Sequence, residues 1–118
     1  MPDSAQRLKI SDYKDVKVID FIESKILDEA NIAEIGQQLI AVVEAKDRPK
    51  LLLDFANVDH LSSAALGMLI NVNNRVKQQS GQLRLANIKP AIMEVFEITK
   101  LNKLFRILPN RVDALASY

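Results

Sequence analysis

"KLLLDFANVDHLSSAALGMLINV", Lys50 to Val72, decides how the chain folds. After Lys50, its first residues are a short, nearly continuous apolar run to Phe55 broken only by Asp54, the mark of a strand covered on both faces and therefore central in a sheet. After the loop ANVDHL the period changes. Leu66, Leu69, Val72 and Val76 recur at three- and four-residue steps, so a helix is expected from about Ser63 to Gln79. A buried strand feeding a helix is the unit of a parallel α/β sheet. Two adjacent serines, Ser62 and Ser63, stand at the junction, where one serine is enough to cap a helix.

Working upstream, DVKVIDFI alternates: Val16, Val18 and Asp20 share one face of a strand, and Lys17, Ile19 and Phe21 the other. RLKIS reads as a short strand before it. ESKILDEAN breaks the pattern, and from Asp28 onward Ile32, Ile35, Leu39, Val42 and Val43 form a helical stripe ending near Ala45, before the polar turn KDRP. Downstream, SGQ is a helix stop, with Gly81 expected to take the left-handed conformation. QLRLANI is the next strand. Pro90 suits the first turn of a third helix, in which Ile92, Val95, Phe96 and Thr99 share a face. LFRIL then gives a last strand, and Asn110 caps a terminal helix in NRVDALASY.

The expected order is β β α β α β α β α. It predicts an α/β domain with a small, mostly parallel mixed sheet of about five strands, about four helices packed mainly on one side, and right-handed crossovers. No repeat, low-complexity segment or linker interrupts it, so residues 1–118 are read as one domain.

Composition narrows the function classes. With 48% apolar and 26% charged residues, the chain has the means to build a core and lacks the signature of disorder. Sixteen basic residues against fifteen acidic ones, with no basic cluster, offer no nucleic-acid footprint. No apolar run approaches the roughly 20 residues that span a bilayer, so no membrane insertion is expected. MPDSAQRLKI lacks the apolar core of a signal peptide, and the expectation is a cytoplasmic protein made without a cleaved leader. The absence of cysteine is compatible with that compartment.

Catalytic templates find little to use. His60 is the single histidine, so no two-histidine metal site can form, and no G-x-S-x-G elbow surrounds Ser63, three residues on. Three glycines in all make no phosphate cradle. Neither a metal nor another cofactor is expected, and the chain is not expected to be an enzyme. Asp28 and Glu29 are adjacent carboxylates, but Asp28 is well placed to cap the first helix. Asn57 and Asp59 suit a turn.

The stretch DFANVDHLSSAALG, Asp54 to Gly67, resembles the STAS domain of the anti-sigma factor antagonists. That family reads roughly Asp-Leu-Ser-x-Val-x-x-Ile-Asp-Ser-Ser/Thr-Gly-Leu-Gly, and the likeness extends to ILD before the first helix, QLRLANI, VFEITKLNKLF and the ALASY tail. Three positions depart: Ser62 replaces the motif's Asp, Ala64 stands where Ser or Thr is frequent, and Ala65 replaces the Gly. Loss of the Asp removes a carboxylate beside the acceptor, and loss of the Gly reduces freedom at the helix start.

The resemblance implies a regulatory phosphate on Ser63, with Ser62 as cap or secondary acceptor. It implies a partner surface drawn from Asp28, Asn57, Ser62, Ser63, Ala64 and Met68, where Met68 serves equally well as core. The implied partners are an anti-sigma factor that is also a serine kinase of the histidine-kinase-like ATPase type, and a PP2C-type serine phosphatase. A freestanding subunit docked on the ATPase of an ABC-type lipid transporter is the alternative. Elementary physics makes the first intelligible: a helix N-terminus tolerates added negative charge, while a phosphate carrying about −1.5 to −2 charges disrupts a packed interface.

Overall fold

The computed structural model describes residues 7–118, so the polar opening stretch through Gln6, including most of the segment read for a leader, lies outside the described residues. The elements in chain order are β1 (Leu8–Tyr13), β2 (Val16–Phe21), β3 (Lys25–Ile26), α1 (Glu29–Glu44), β4 (Lys50–Asp54), β5 (His60–Leu61), α2 (Ser63–Gln78), β6 (Gln82–Ala86), α3 (Pro90–Ile98), a 3-10 turn (Leu101–Lys103), β7 (Arg106–Leu108) and α4 (Arg111–Ala116). Five strands make one sheet in the order β1-β2-β4-β6-β7. Only β1 is antiparallel to its neighbour; β2, β4, β6 and β7 run parallel, with β4 at the centre as its apolar run requires.

Strand alternation divides the core in two. Ile19, Phe21, Leu51, Leu53, Leu83 and Leu85 face α1, α2 and α3, where Ile35, Leu39, Leu69, Val72 and Phe96 close the main core. Val16, Val18, Leu52 and Ala86 point the other way and meet Ala114 of α4. Three helices therefore cover one face and the short α4 the back.

Several details differ from the sequence reading. β3 and β5 form a separate parallel pair, Lys25 beside His60 and Ile26 beside Leu61, too short to carry a period. The segment read as LFRIL begins with the end of the 3-10 turn, since Leu104 is its C-cap, and only Arg106–Leu108 is strand. Thr99 does not join the apolar face of α3; it is the exposed C-cap, its hydroxyl donating to the Val95 carbonyl at 2.7 Å. After α2 the left-handed residue is Ser80, φ 58°, and not Gly81. Gly81 serves packing instead: a Cβ there would lie 2.3 Å from the Pro49 carbonyl oxygen.

Candidate functional site

The two serines have different jobs. Ser62 is the N-cap of α2, with extended backbone and its Oγ accepting from the Ala65 N–H at 3.1 Å. Ser63 is the first helical residue and is exposed, as is Ala64, whereas Ala65 is buried. The hydroxyl of Ser63 thus has no partner among the described residues, and it stands at the N-terminal end of α2, where unpaired backbone N–H groups and the helix dipole favour negative charge.

The loop leading to the serines is tied down along its length. At its root Asp54, 3% exposed, accepts from the Ala56 N–H at 2.9 Å, from Asn87 Nδ2 at 3.1 and 3.2 Å, and from Arg111 Nε at 2.9 Å. Arg111, on α4, also reaches Asp20, the neighbour of Asp54 in register on β2. Asn87 holds its place in a left-handed conformation, φ 58°, which asparagine tolerates well. Further along, Asn57 Nδ2 donates to the Phe21 carbonyl at 3.2 Å, Val58 is fully buried, and the Asp59 and His60 N–H groups both donate to Ser24 O, at 2.7 and 3.1 Å. Phe21, Phe55, Phe96 and Phe105 follow one another in tilted and edge-to-face contacts, with centroids 4.9, 6.5 and 5.9 Å apart.

The β3–β5 pair brings the predicted residues to one pole. Ser62 N–H donates to the Ile26 carbonyl at 3.1 Å, and Asp28 follows Ile26 by two residues, so α1 and α2 start side by side. Asp28 is the N-cap of α1: its Oδ1 accepts from Ala30 and Asn31 N–H at 2.8 and 3.1 Å. Met68 lies one turn into α2, half-buried in the seam with α1, where a Cβ on Gly36 would come 3.0 Å from its Cγ. Of the six predicted partner residues, Asp28, Ser62, Ser63 and Ala64 therefore lie around the paired helix starts, Asn57 braces the loop, and Met68 fills the helix seam.

Charge at this pole is mixed. Lys25 and His60 are exposed neighbours across β3 and β5. Lys89, the cap residue of α3, pairs with Asp59 and holds that carboxyl below its ordinary range. Sequence reasoning missed Leu27, which is 49% exposed immediately before Asp28 and gives the pole an apolar element; its signal was an apolar residue stranded between a broken strand pattern and a cap. Missed too was the Arg111 connection, since a lone buried carboxylate announces that it needs a partner but not which of sixteen basic residues provides it. Among the described residues no cluster of three or more His, Cys, Asp or Glu side chains is arranged around a metal position. None of their helices is long and apolar enough to cross a membrane.

The family model for the STAS domain matches residues 9–114. The chain belongs to the STAS family. This STAS domain is 31% identical over 93 residues to BtrV of Bordetella bronchiseptica, a protein assigned as an anti-sigma factor antagonist, covering 79% of each chain. Its fold is shared by an anti-sigma-factor antagonist (STAS) domain protein from Planctomyces limnophilus, TM-score 0.85 with 19% identity over 93% of this chain and 96% of that one. It is shared as well by the Bacillus cell fate determinant SpoIIAA in its phosphorylated form, TM-score 0.68 with 14% identity over 92% and 96% of the two chains.

Proposed function

We propose that this STAS domain is an anti-sigma factor antagonist working as a phosphorylation-controlled partner switch in the bacterial cytoplasm, a regulator of transcription without catalysis of its own. The dephosphorylated form binds an anti-sigma factor that is also a serine kinase, releasing a sigma factor. Phosphorylation of Ser63 ends the complex, and a PP2C-type serine phosphatase resets it. The observation that carries this reading is the division of labour between the serines: Ser62 caps α2, leaving the exposed Ser63 hydroxyl free to be modified. The BtrV likeness and the phosphorylated state of SpoIIAA support the same reading.

The physical consequence of the modification follows from its place. A phosphate at the start of α2 sits where the helix accepts negative charge, so the fold survives. The same charge enters the surface formed by Ser62, Ala64, Asp28 and Leu27, where a docked partner must desolvate it, and binding is lost. Incubation with the cognate kinase and ATP, followed by mass spectrometry, is expected to place phosphate on Ser63, and Ser63→Asp is expected to abolish anti-sigma factor binding. Failure of both, with stable copurification of an ABC-type lipid transporter ATPase that ignores Ser63→Asp, would replace the switch by the docking-subunit reading.

A further inference from the structure

At the end of the sheet opposite Ser63, where the parallel strands begin, a cleft of about 550 Å³ opens between the β1–β2 hairpin and the last turn of α1. Its volume lies within the range of about 300–1,000 Å³ usual for small-molecule sites. The walls are of two kinds. Ile10, Val42, Ala45 and Pro49 supply apolar surface, and Ile10 is 43% exposed although it shares a sheet face with the buried Ile19. Around them stand four lysines against two aspartates, a balance of +2.

The ion pairs decide which cations are free. Lys17 is held by Asp12 at 2.6 Å and Lys50 by Asp15 at 2.8 Å. Lys50 also keeps the Asp15 carboxyl below its ordinary range, as expected of a formed pair. Among the described residues Lys14 and Lys46 make no direct carboxylate contact, although Lys46 lies near enough to Asp15 to add to the lowering of that carboxyl. Lys14 leans over the Tyr13 ring at 5.6 Å and occupies the left-handed turn position of the hairpin, φ 57°, where glycine or asparagine is the usual choice. Lys46 follows Ala45, the C-cap of α1, whose final carbonyls carry partial negative charge and whose last turn has no basic residue.

We infer that this cleft binds a small amphipathic anion, its charged head on Lys14 and Lys46 at the mouth and its short apolar tail across Ile10, Val42 and Ala45. A purely inorganic anion would leave the apolar wall unused, and a neutral apolar molecule would leave two ammonium groups unmatched. The site is independent of the serine pole, separated from it by the length of the parallel strands, about 13 Å.

Titration of the full chain with octanoate, octanol and acetate, followed through backbone amide resonances, tests this. Octanoate is expected to give saturable shifts at Ile10, Lys14, Ala45 and Lys46, with octanol at least tenfold weaker and acetate without effect. Lys14→Gly combined with Lys46→Gln is expected to weaken octanoate at least tenfold; glycine suits the left-handed turn, so this variant keeps its fold, and an unchanged spectrum for the loop from Asp54 to Ser63 verifies that. Shifts centred instead on Val112 and Leu115, which line a neighbouring cleft between the hairpin and α4, shifts that never saturate, or equal affinity in the folded double variant would overturn the assignment.

Discussion

Arg111, the first residue of the helix on the back of the sheet, holds Asp54 at the end of the central strand, its Nε 2.9 Å from Oδ2. Fifty-seven residues apart in sequence, the two join α4 to the root of the loop that carries Ser62 and Ser63. Asp54 is 3% exposed while the Arg111 side chain is 40% exposed, so the arginine is the solvent-facing lid of a buried carboxylate.

Arg111→Leu removes the one cation paired with Asp54 among the described residues and leaves it to Asn87 and the Ala56 N–H. Breaking a buried pair costs about 3–5 kcal/mol, and the partial exposure of Arg111 reduces the expected loss to about 2 kcal/mol. Urea denaturation measures it. In the Arg111→Leu background, Asp54→Asn should cost less than it does alone, because the charge it removes no longer has a partner. Simple additivity of the two changes would mean that the contact contributes nothing.

Ser62 and Ser63 should separate cleanly by stability. Ser62→Ala deletes the α2 cap and is expected to cost about 1 kcal/mol, with faster hydrogen exchange at the Ala65 amide. Ser63→Ala touches an exposed side chain with no capping role and should stay within about 0.5 kcal/mol of the wild type. Equal losses from the two would contradict the division of roles on which the switch depends.

How much of this was legible in the sequence follows from the range of the forces involved. Local periodicity exposed β4, α1 and α2, because burial on a strand or helix repeats every two or 3.6 residues. The caps Asp28, Ser62 and Asn110 were legible because a cap acts within three residues. Hidden were the features that join distant segments: Lys25 beside His60, Arg111 on Asp54, and the contact of Gly81 with Pro49. Gly81 shows the limit well. Its residue type signalled a constraint at the helix stop, yet the constraint is lack of space and not left-handed backbone, which Ser80 takes instead. The serine pole was read correctly as a helix start, but only the fold shows it to be a double one, with α1 and α2 beginning together over the β3–β5 pair.

Gly81→Ala is therefore expected to destabilise. The added methyl meets the Pro49 carbonyl at 2.3 Å, and that carbonyl is itself committed, accepting from the Gln82 N–H at 2.8 Å where β6 begins. Neither atom belongs to a flexible side chain, so backbone must shift, at a cost of about 1–3 kcal/mol. A denaturation midpoint equal to that of the wild type would show that the turn between α2 and β6 has more room than this geometry allows.

Tyr118 provides the pH test. Its hydroxyl donates to the Leu51 carbonyl and its ring lies 4.7 Å from the Arg84 guanidinium. Burial pushes the phenol well above its ordinary value of 10.0, and the nearby Arg84 charge opposes that shift without overcoming it. Because the folded state keeps the phenolic proton longer than the unfolded state does, the stability it contributes is fully present below about pH 10 and is lost as pH rises beyond that. Tyr118→Phe should cost about 1 kcal/mol near neutrality through the lost hydrogen bond. Phenylalanine has no proton to lose, so the gap between variant and wild type should narrow as denaturation is repeated from about pH 9 to about pH 11. A gap that stays constant over that interval would show that the phenol ionises equally easily in both states, and that Tyr118 does not close the back of the sheet.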